Sequence, residues 1–480
     1  MNVLDANQEA AFERYIQSGG GYRWCARCNR YRVRLGHPAG TPEADFIIKD
    51  NSFIATKHFT DSVWHRADEI YNYKNINPDV NVLMTVDEST YEGGKNGDVH
   101  PFAWYHEFDG GRSFYTGAGH TDESYAEEAF LQHLLGGIQY AIDVDRFSKI
   151  TLAEGKFFEP TEMTVLSNND VLIGQRRGEV LRYNAETKEI TEIAKFDVYH
   201  KTLNTPGVNA EEGLMGIQKD PNYDTNNWIY VYYSPTGDEE VNRLSRFKYT
   251  DGNFDMSSEQ KIIDVYSQRE ICCHTGGSIA FGGDGLLYLS TECGIVNNGF
   301  APLNDLPGKQ QYDARRSSGN TNDLRGKIIR IRVNEDGSYD IPEGNLFAKG
   351  TEKTRPEIYT MGHRNPYRIS VDSKRGYVYW GDVGPDARAD QLDTRGPRGY
   401  DEMNQARKAG NFGWPLFIAG TGGRNAMAGP TYYSDEYTNG GGLPSYYDGK
   451  VIIYDWMRGW MMAVHLFEDG SFNKMEPFAS

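Results

Sequence analysis

His363-Arg364-Asn365-Pro366 puts a cation and an amide on one turn. Pro366 stiffens that turn, because proline fixes its own φ and restricts the residue before it. The aromatic run Tyr377-Val378-Tyr379-Trp380 then leads into Gly381-Asp382-Val383-Gly384-Pro385. Glycines there let the backbone approach a ligand and turn its carbonyl oxygens toward it. A guanidinium and an amide at one strand end, with free carbonyls at the next, suit a flat, anionic, metal-chelating ligand. Earlier in the chain, His274 sits in Cys272-Cys273-His274-Thr275-Gly276-Gly277-Ser278. A histidine titrates near neutrality and can serve as a general base; alone it reads as well as a ring capping a strand. Cys25-x-x-Cys28 is a single pair and a thin basis for zinc. Cys272-Cys273 reads as a vicinal disulfide or as two small buried residues.

These residues need strands to hold them. The 480 residues include 53 glycines and 32 tyrosines, a mix that favours β-structure with glycine turns. A net charge of −18 argues against nucleic acid and anionic membranes as partners and does not oppose a neutral sugar. No apolar run reaches the length of a membrane span, and no signal peptide opens the chain. The opening reads as the inside of a longer protein. A helix is expected over Gln8–Gln17, stopped at Gly19-Gly20-Gly21. Arg23, Arg27, Arg30, Arg32 and Arg34 follow with no acidic residue among them, so residues 23–40 are expected as an exposed loop rather than a buried strand. Asp109-Gly110 between two aromatic strands signals a hairpin, and a helix with Ala126, Ala129, Phe130, Leu134 and Ile138 on one face runs to about Ile142.

After Asp143-Val144-Asp145 a repeat begins: an Asn-Asn, Asp-Gly or Arg-Gly turn, then an aromatic or β-branched strand. The copies start at Asn168-Asn169, Asn226-Asn227, Asp284-Gly285, Arg375-Gly376 and Asp448-Gly449. Repeated strand units of this kind predict a β-propeller. No P-loop, no G-x-G-x-x-G opening a helix and no G-x-S-x-G occurs.

Two resemblances follow. Gly362-His363-Arg364-Asn365-Pro366, the Gly384-Pro385 loop, Asp401-Glu402-Met403-Asn404 and Gly410-Asn411-Phe412-Gly413-Trp414-Pro415 together resemble the glucose/sorbosone dehydrogenases, soluble quinoproteins that use pyrroloquinoline quinone (PQQ). Trp64-x-Arg66-x-Asp68-Glu69-x-Tyr71, His100-Pro101-x-Ala103-Trp104 and Gly119-His120-Thr121 resemble the ThuA-like (trehalose-utilisation) family. The resemblances imply a multidomain chain. Residues 1–142 would be an α/β domain, flavodoxin-like and class I amidotransferase-like, incomplete at its N-terminus and atypical at 23–40. Residues 147–480 would be a propeller of the six-bladed quinoprotein type, truncated after the fifth blade.

The first resemblance also implies roles. His274 would be the base that takes the anomeric proton of a sugar, with Glu211 bordering the substrate. Arg364 and Asn365 would contact the quinone, joined by Arg458, since Met457 holds the position of the family's lysine. The carbonyls of Gly384 and Pro385 would bind catalytic Ca²⁺, and Glu402 with the carbonyl of Phe412 a structural Ca²⁺. The expected function is PQQ- and calcium-dependent aldose oxidation outside the cytoplasm, periplasmic or secreted, passing electrons to an external acceptor such as a cytochrome c. Two alternatives stand beside it: a non-catalytic propeller that binds carbohydrate or protein, and sugar or keto-sugar conversion by the ThuA-like domain through His106 or His120.

Overall fold

A computed structural model describes residues 21–25, 40–74, 76–108, 111–142, 150–202, 207–250, 252–269, 274–292, 306–308, 313–384, 389, 401–416, 426–437, 442–443 and 445–479. The expected helix over Gln8–Gln17, Cys28, Cys272, Cys273 and Pro385 lie outside these residues. The chain divides into two compact units, residues 1–150 and 151–480.

The first unit is built on one sheet of β1 (Gly21–Cys25), β2 (Glu43–Ile48), β3 (Val63–Ala67), β4 (Asn81–Val86), β5 (His100–Phe108) and β6 (Gly111–Thr116), in the order β1-β6-β5-β4-β2-β3. Here the expectation for residues 23–40 needs correction at its start. Gly21–Cys25 pairs in parallel with β6, so the arginine-rich segment opens as a strand at one end of the described sheet. The other ladders are antiparallel. Two residues separate β5 from β6, too few for the long crossover a parallel pair needs, so that pair is antiparallel. A flavodoxin-like sheet is built of parallel strands; among the described residues one ladder is.

Helix α1 (Glu128–Ile142) packs on β6. Phe130 and Leu134 of its apolar face are buried, as the periodicity predicts. Gly137 is required where it stands: a Cβ there would meet the Phe114 ring at 2.0 Å.

The second unit has five sheets among its described residues. They are β7 (Pro160–Val165), β8 (Val171–Gln175), β9 (Glu179–Tyr183) and β10 (Ile190–Lys195); β11 (Leu214–Lys219), β12 (Trp228–Tyr233), β13 (Val241–Thr250) and β14 (Asn253–Tyr266); β15 (Gly276–Phe281), β16 (Leu287–Thr291), β17 (Lys327–Val333), with β18 (Tyr339–Asp340) on its side, and β19 (Ile358–Met361); β20 (Pro366–Val371), β21 (Val378–Asp382) and β22 (Glu402–Ala406); and β24 (Ala426–Thr431), β25 (Val451–Asp455), β26 (Trp460–Leu466) and β27 (Phe472–Ala479). A two-residue strand, β23 (Gly410–Asn411), joins the third sheet beside β19.

In each sheet the first two strands pair antiparallel, and the repeat turn falls in the connection just before the second strand. Asn169, Asn227, Gly285, Gly376 and Gly449 stand one or two residues before that strand, with φ of 66°, 57°, 74°, 70° and 70°. Asparagine and glycine tolerate this left-handed region best, which is why the repeat was visible as a turn motif. The first strands pack in sequence: β7 on β11, β11 on β15, β15 on β20, β20 on β24. Backbones meet closely there, since a Cβ on Gly216 would lie 2.1 Å from the carbonyl oxygen of Gly277. The apolar cores lie between consecutive sheets. One joins Trp228, Tyr230 and Leu244 to Leu287, Leu289 and Ile329; another joins Leu286, Tyr288 and Ile328 to Ile369, Val378 and Trp380. Serial sheets with cores between them are propeller packing.

Candidate functional site

A cavity of about 850 Å³ opens where the first strands meet. Its lining includes Glu159, Thr161, Arg176, Glu211, Met215, His274, Asn365, Tyr367, Arg368, Val383, Met427, Tyr454, Trp456 and Met457. That volume is near the upper end of the roughly 300–1,000 Å³ usual for small-molecule sites.

His274 stands two residues before β15 in left-handed backbone, φ 75°. Glu211 holds it there: its Oε2 accepts from the backbone N–H of His274 at 2.6 Å and lies 3.5 Å from Nδ1. The Glu211 side chain is 53% exposed, against 10% for His274. Burial pushes the Glu211 carboxyl up, but the contacts from His274 and the charge of Arg364 outweigh it, so Glu211 stays below the usual carboxylate range.

The Arg364-Asn365 turn hangs from Asp382, the last residue of β21. The carboxylate accepts from the backbone N–H of Asn365 at 2.6 Å and of Arg364 at 3.0 Å. Arg364 is buried and donates from Nη1 to the carbonyl of Val383 at 2.8 Å. Asn365 faces the cavity, and its buried Oδ1 has no hydrogen-bond partner. Burial first, then the charge of Glu402 opposite it on β22, pushes the Asp382 carboxyl up to about 7 against the two amides and Arg364. His363 is wholly buried, its Nε2 2.8 Å from Thr360 Oγ1 and its ring against Trp380 and Phe412.

Of the residues singled out in the sequence, His274, Glu211 and Asn365 line one cavity, with Arg364 bonded to the lining residue Val383. Gly384 is fixed through its N–H by Asp401 at 3.1 Å. Glu402 sits at the start of β22, and Phe412 packs its ring on Trp380. Arg458 lies on the exposed turn between β25 and β26, where its N–H bonds to Asp455; its neighbours Trp456 and Met457 line the cavity instead. Among the described residues no three His, Cys, Asp or Glu side chains gather as they would around a metal ion.

Two arginines at the cavity carry no motif in the sequence. Arg176 donates from Nη1 to the carbonyls of His200, Ala210 and Glu212 and from Nη2 to Glu159 at 2.7 Å. Arg368, 5% exposed on β20, lies beside Glu162. The one available signal was a cation inside a strand between Pro366 and the apolar Ile369.

In the first unit, the fully buried Asp68 accepts from the backbone N–H groups of Glu69 (2.8 Å), Gly119 (2.9 Å) and His120 (3.1 Å) and pairs with Arg66 at 2.9 Å. It thereby sets Glu69 beside His120, with Oε2 2.8 Å from the half-exposed ring's Nδ1. Tyr71 donates its hydroxyl to the same Glu69 oxygen. His106, the other histidine considered there, is on β5.

The chain belongs to the Glucose / Sorbosone dehydrogenase family, whose model matches residues 157–447. Residues 1–141 match the ThuA model, described as trehalose utilisation. Quinoprotein glucose dehydrogenase B of Acinetobacter calcoaceticus is 28% identical over 261 residues, 52% of this chain and 48% of that protein. Human Hedgehog-interacting protein is 26% identical over 175 residues, 34% of this chain and 23% of that one. The chain thus spans about half the length of the bacterial relative and less of the human one. A solved structure from Thermus thermophilus, named as an oxidoreductase (glucose dehydrogenase), is 21% identical with a TM-score of 0.50, covering 68% of this chain and 86% of its own. At that identity the likeness is one of fold.

Proposed function

We propose that residues 147–480 oxidise an aldose at its anomeric carbon with PQQ and Ca²⁺, behind a ThuA-like domain of residues 1–142. One observation carries this reading: a histidine held by a carboxylate and an asparagine–arginine turn held by another share one cavity. The donor set suits the cofactor. Arg368 and Arg176 bring positive charge, the Asn365 oxygen is a buried acceptor left unpaired, and Tyr367, Tyr454 and Trp456 offer flat apolar faces. The two carboxylates of the lining are already engaged, Glu159 by Arg176 and Glu211 by His274.

Bound PQQ supplies a two-electron oxidant at the cavity. His274 takes the proton of the anomeric hydroxyl, and Glu211 keeps its ring oriented while doing so. Asn365, Arg364 and Arg368 hold the cofactor, and Asp382 fixes the turn that carries the first two. Carbonyl oxygens of Gly384 and Pro385 hold catalytic Ca²⁺, with Glu402 and the Phe412 carbonyl at a second, structural one. Electrons leave to an external acceptor such as a cytochrome c, and the reaction runs outside the cytoplasm. Among the described residues no helix is long and apolar enough to cross a membrane. The test is a dye-linked assay: the purified chain with PQQ, Ca²⁺ and glucose should bleach an electron-accepting dye, and a chain that binds PQQ without bleaching would leave a binding propeller.

A second reading rests on the His120–Glu69 pair. An accessible imidazole backed by a carboxylate fits proton transfer on a sugar or keto-sugar in the first unit. Sugar isomer interchange without PQQ, lost in His120→Ala, would favour it.

A further inference from the structure

Arg368 is a closely held charge at the cavity. From β20 its Nη2 donates to the carbonyls of Thr161 on β7 and, at 3.3 Å, Met215 on β11; its Nη1 donates to Tyr367 at 2.7 Å. Its Nε lies 3.6 Å from Glu162 Oε2, a distance for charge attraction rather than a hydrogen bond. Glu162 is held in turn by Ser278 of β15, whose hydroxyl donates to Oε2 at 3.1 Å while accepting from the N–H of Ile369 at 3.3 Å. One charged cluster therefore ties the first strands of four sheets.

A guanidinium has five N–H bonds. Three go to the named carbonyls and Nε faces Glu162, so by count one Nη1 N–H is left on a residue that lines the cavity. A buried ion pair is a poor source of stability, because desolvating both charges costs about as much as their attraction returns. Fixing strands would need only the carbonyl contacts. The pair makes better sense as a tuned charge: a fixed cation whose pull on an incoming anion is set by the carboxylate behind it.

We propose that Arg368 binds an acidic oxygen of the cavity's ligand, a carboxylate of an anionic aromatic cofactor, and that Glu162 limits the strength of that contact. The anion site stands on the cluster itself; naming the anion as PQQ rests on the function proposed above.

The experiment is calorimetric titration of the full chain, with Ca²⁺, using two probes: PQQ, and benzene-1,2,4-tricarboxylate, which carries carboxylates and no quinone. Melting temperature is followed alongside. Arg368→Gln should weaken both anions by about tenfold or more, the loss of one charge-assisted hydrogen bond. Glu162→Gln keeps an oxygen for Ser278, removes the opposing charge and should strengthen both by roughly threefold. A merely structural pin would lower the melting temperature in both variants and leave affinities unchanged. A folded Arg368→Gln chain that binds both probes like the unaltered protein overturns the proposal. Where that variant fails to fold, unchanged affinities in Glu162→Gln overturn it. If the unaltered chain ignores PQQ but binds the tricarboxylate through Arg368, the quinone reading falls and the anion site stands. If it binds neither, both fall.

Discussion

The carboxylate of Glu211 grips His274 twice, 2.6 Å from its backbone N–H and 3.5 Å from Nδ1. The two residues come from different sheets: Glu211 precedes β11 and His274 precedes β15. A base must be aimed before it is useful, and here the aiming residue lies on a neighbouring sheet's entry loop.

Glu211→Ala should therefore lower the rate of sugar oxidation by about tenfold or more, while His274→Ala should cost roughly 10²–10⁴ because the proton acceptor itself is gone. PQQ affinity, read by calorimetry, should stay near that of the unaltered chain in both. A Glu211→Ala enzyme with full turnover would remove the orienting role.

Gly216 should tolerate no side chain. Gly216→Ala would place its Cβ 2.1 Å from the carbonyl oxygen of Gly277 on the next sheet, where only backbone can yield. A loss of about 2–4 kcal/mol is expected in urea unfolding. Asn169→Gly, at a left-handed hairpin position, should leave stability within a few tenths of a kcal/mol or raise it slightly, since glycine pays no steric cost there but loses more chain entropy. Equal effects of the two changes would contradict the packing described.

Two buried groups should give opposite pH slopes. Burial first, then the Lys327 ammonium, holds His363 down to about 3. The folded chain refuses a proton that the unfolded chain accepts below about 6.5, so this contribution is lost as pH falls from about 6.5 toward 3. Asp382 is pushed up to about 7, so the folded chain keeps a proton that the unfolded chain releases; its contribution is lost as pH rises from about 4 to 7. Between pH 4 and 6.5 the two offset each other. His363→Gln should then leave stability falling with rising pH, and Asp382→Asn should leave it rising, each by up to about 1.4 kcal/mol per pH unit. Urea unfolding at pH 4.5 and 6.5 reads both slopes; parallel slopes in the two variants would contradict the shifts.

How much of this was legible before the structure follows from the physics of each signal. The five repeat turns were, because left-handed backbone favours asparagine and glycine, and that preference repeats in the sequence. His274, Arg364 and Asn365 were, because they sit in short ordered motifs beside glycine and proline. Glu211 was visible as a polar residue before Gly213-Leu214-Met215-Gly216, yet its grip on His274 depends on two sheets meeting. Arg368 and Glu162 were legible only as charges within strands, which normally mark the solvent face, and only the approach of four first strands turns these two inward. In the first unit the arginine run masked a strand: Gly21–Cys25 pairs with β6, although Arg23 argued for a loop.

The most direct test of the account is rapid mixing of glucose with the full chain loaded with PQQ and Ca²⁺, following the absorbance of the bound quinone. The quinone should be reduced in a single turnover in the unaltered chain, slowed by about 10²–10⁴ in His274→Ala with PQQ binding retained. A chain that binds PQQ but leaves it oxidised in the presence of glucose and other aldoses, or one reduced at the same rate without His274, would contradict it.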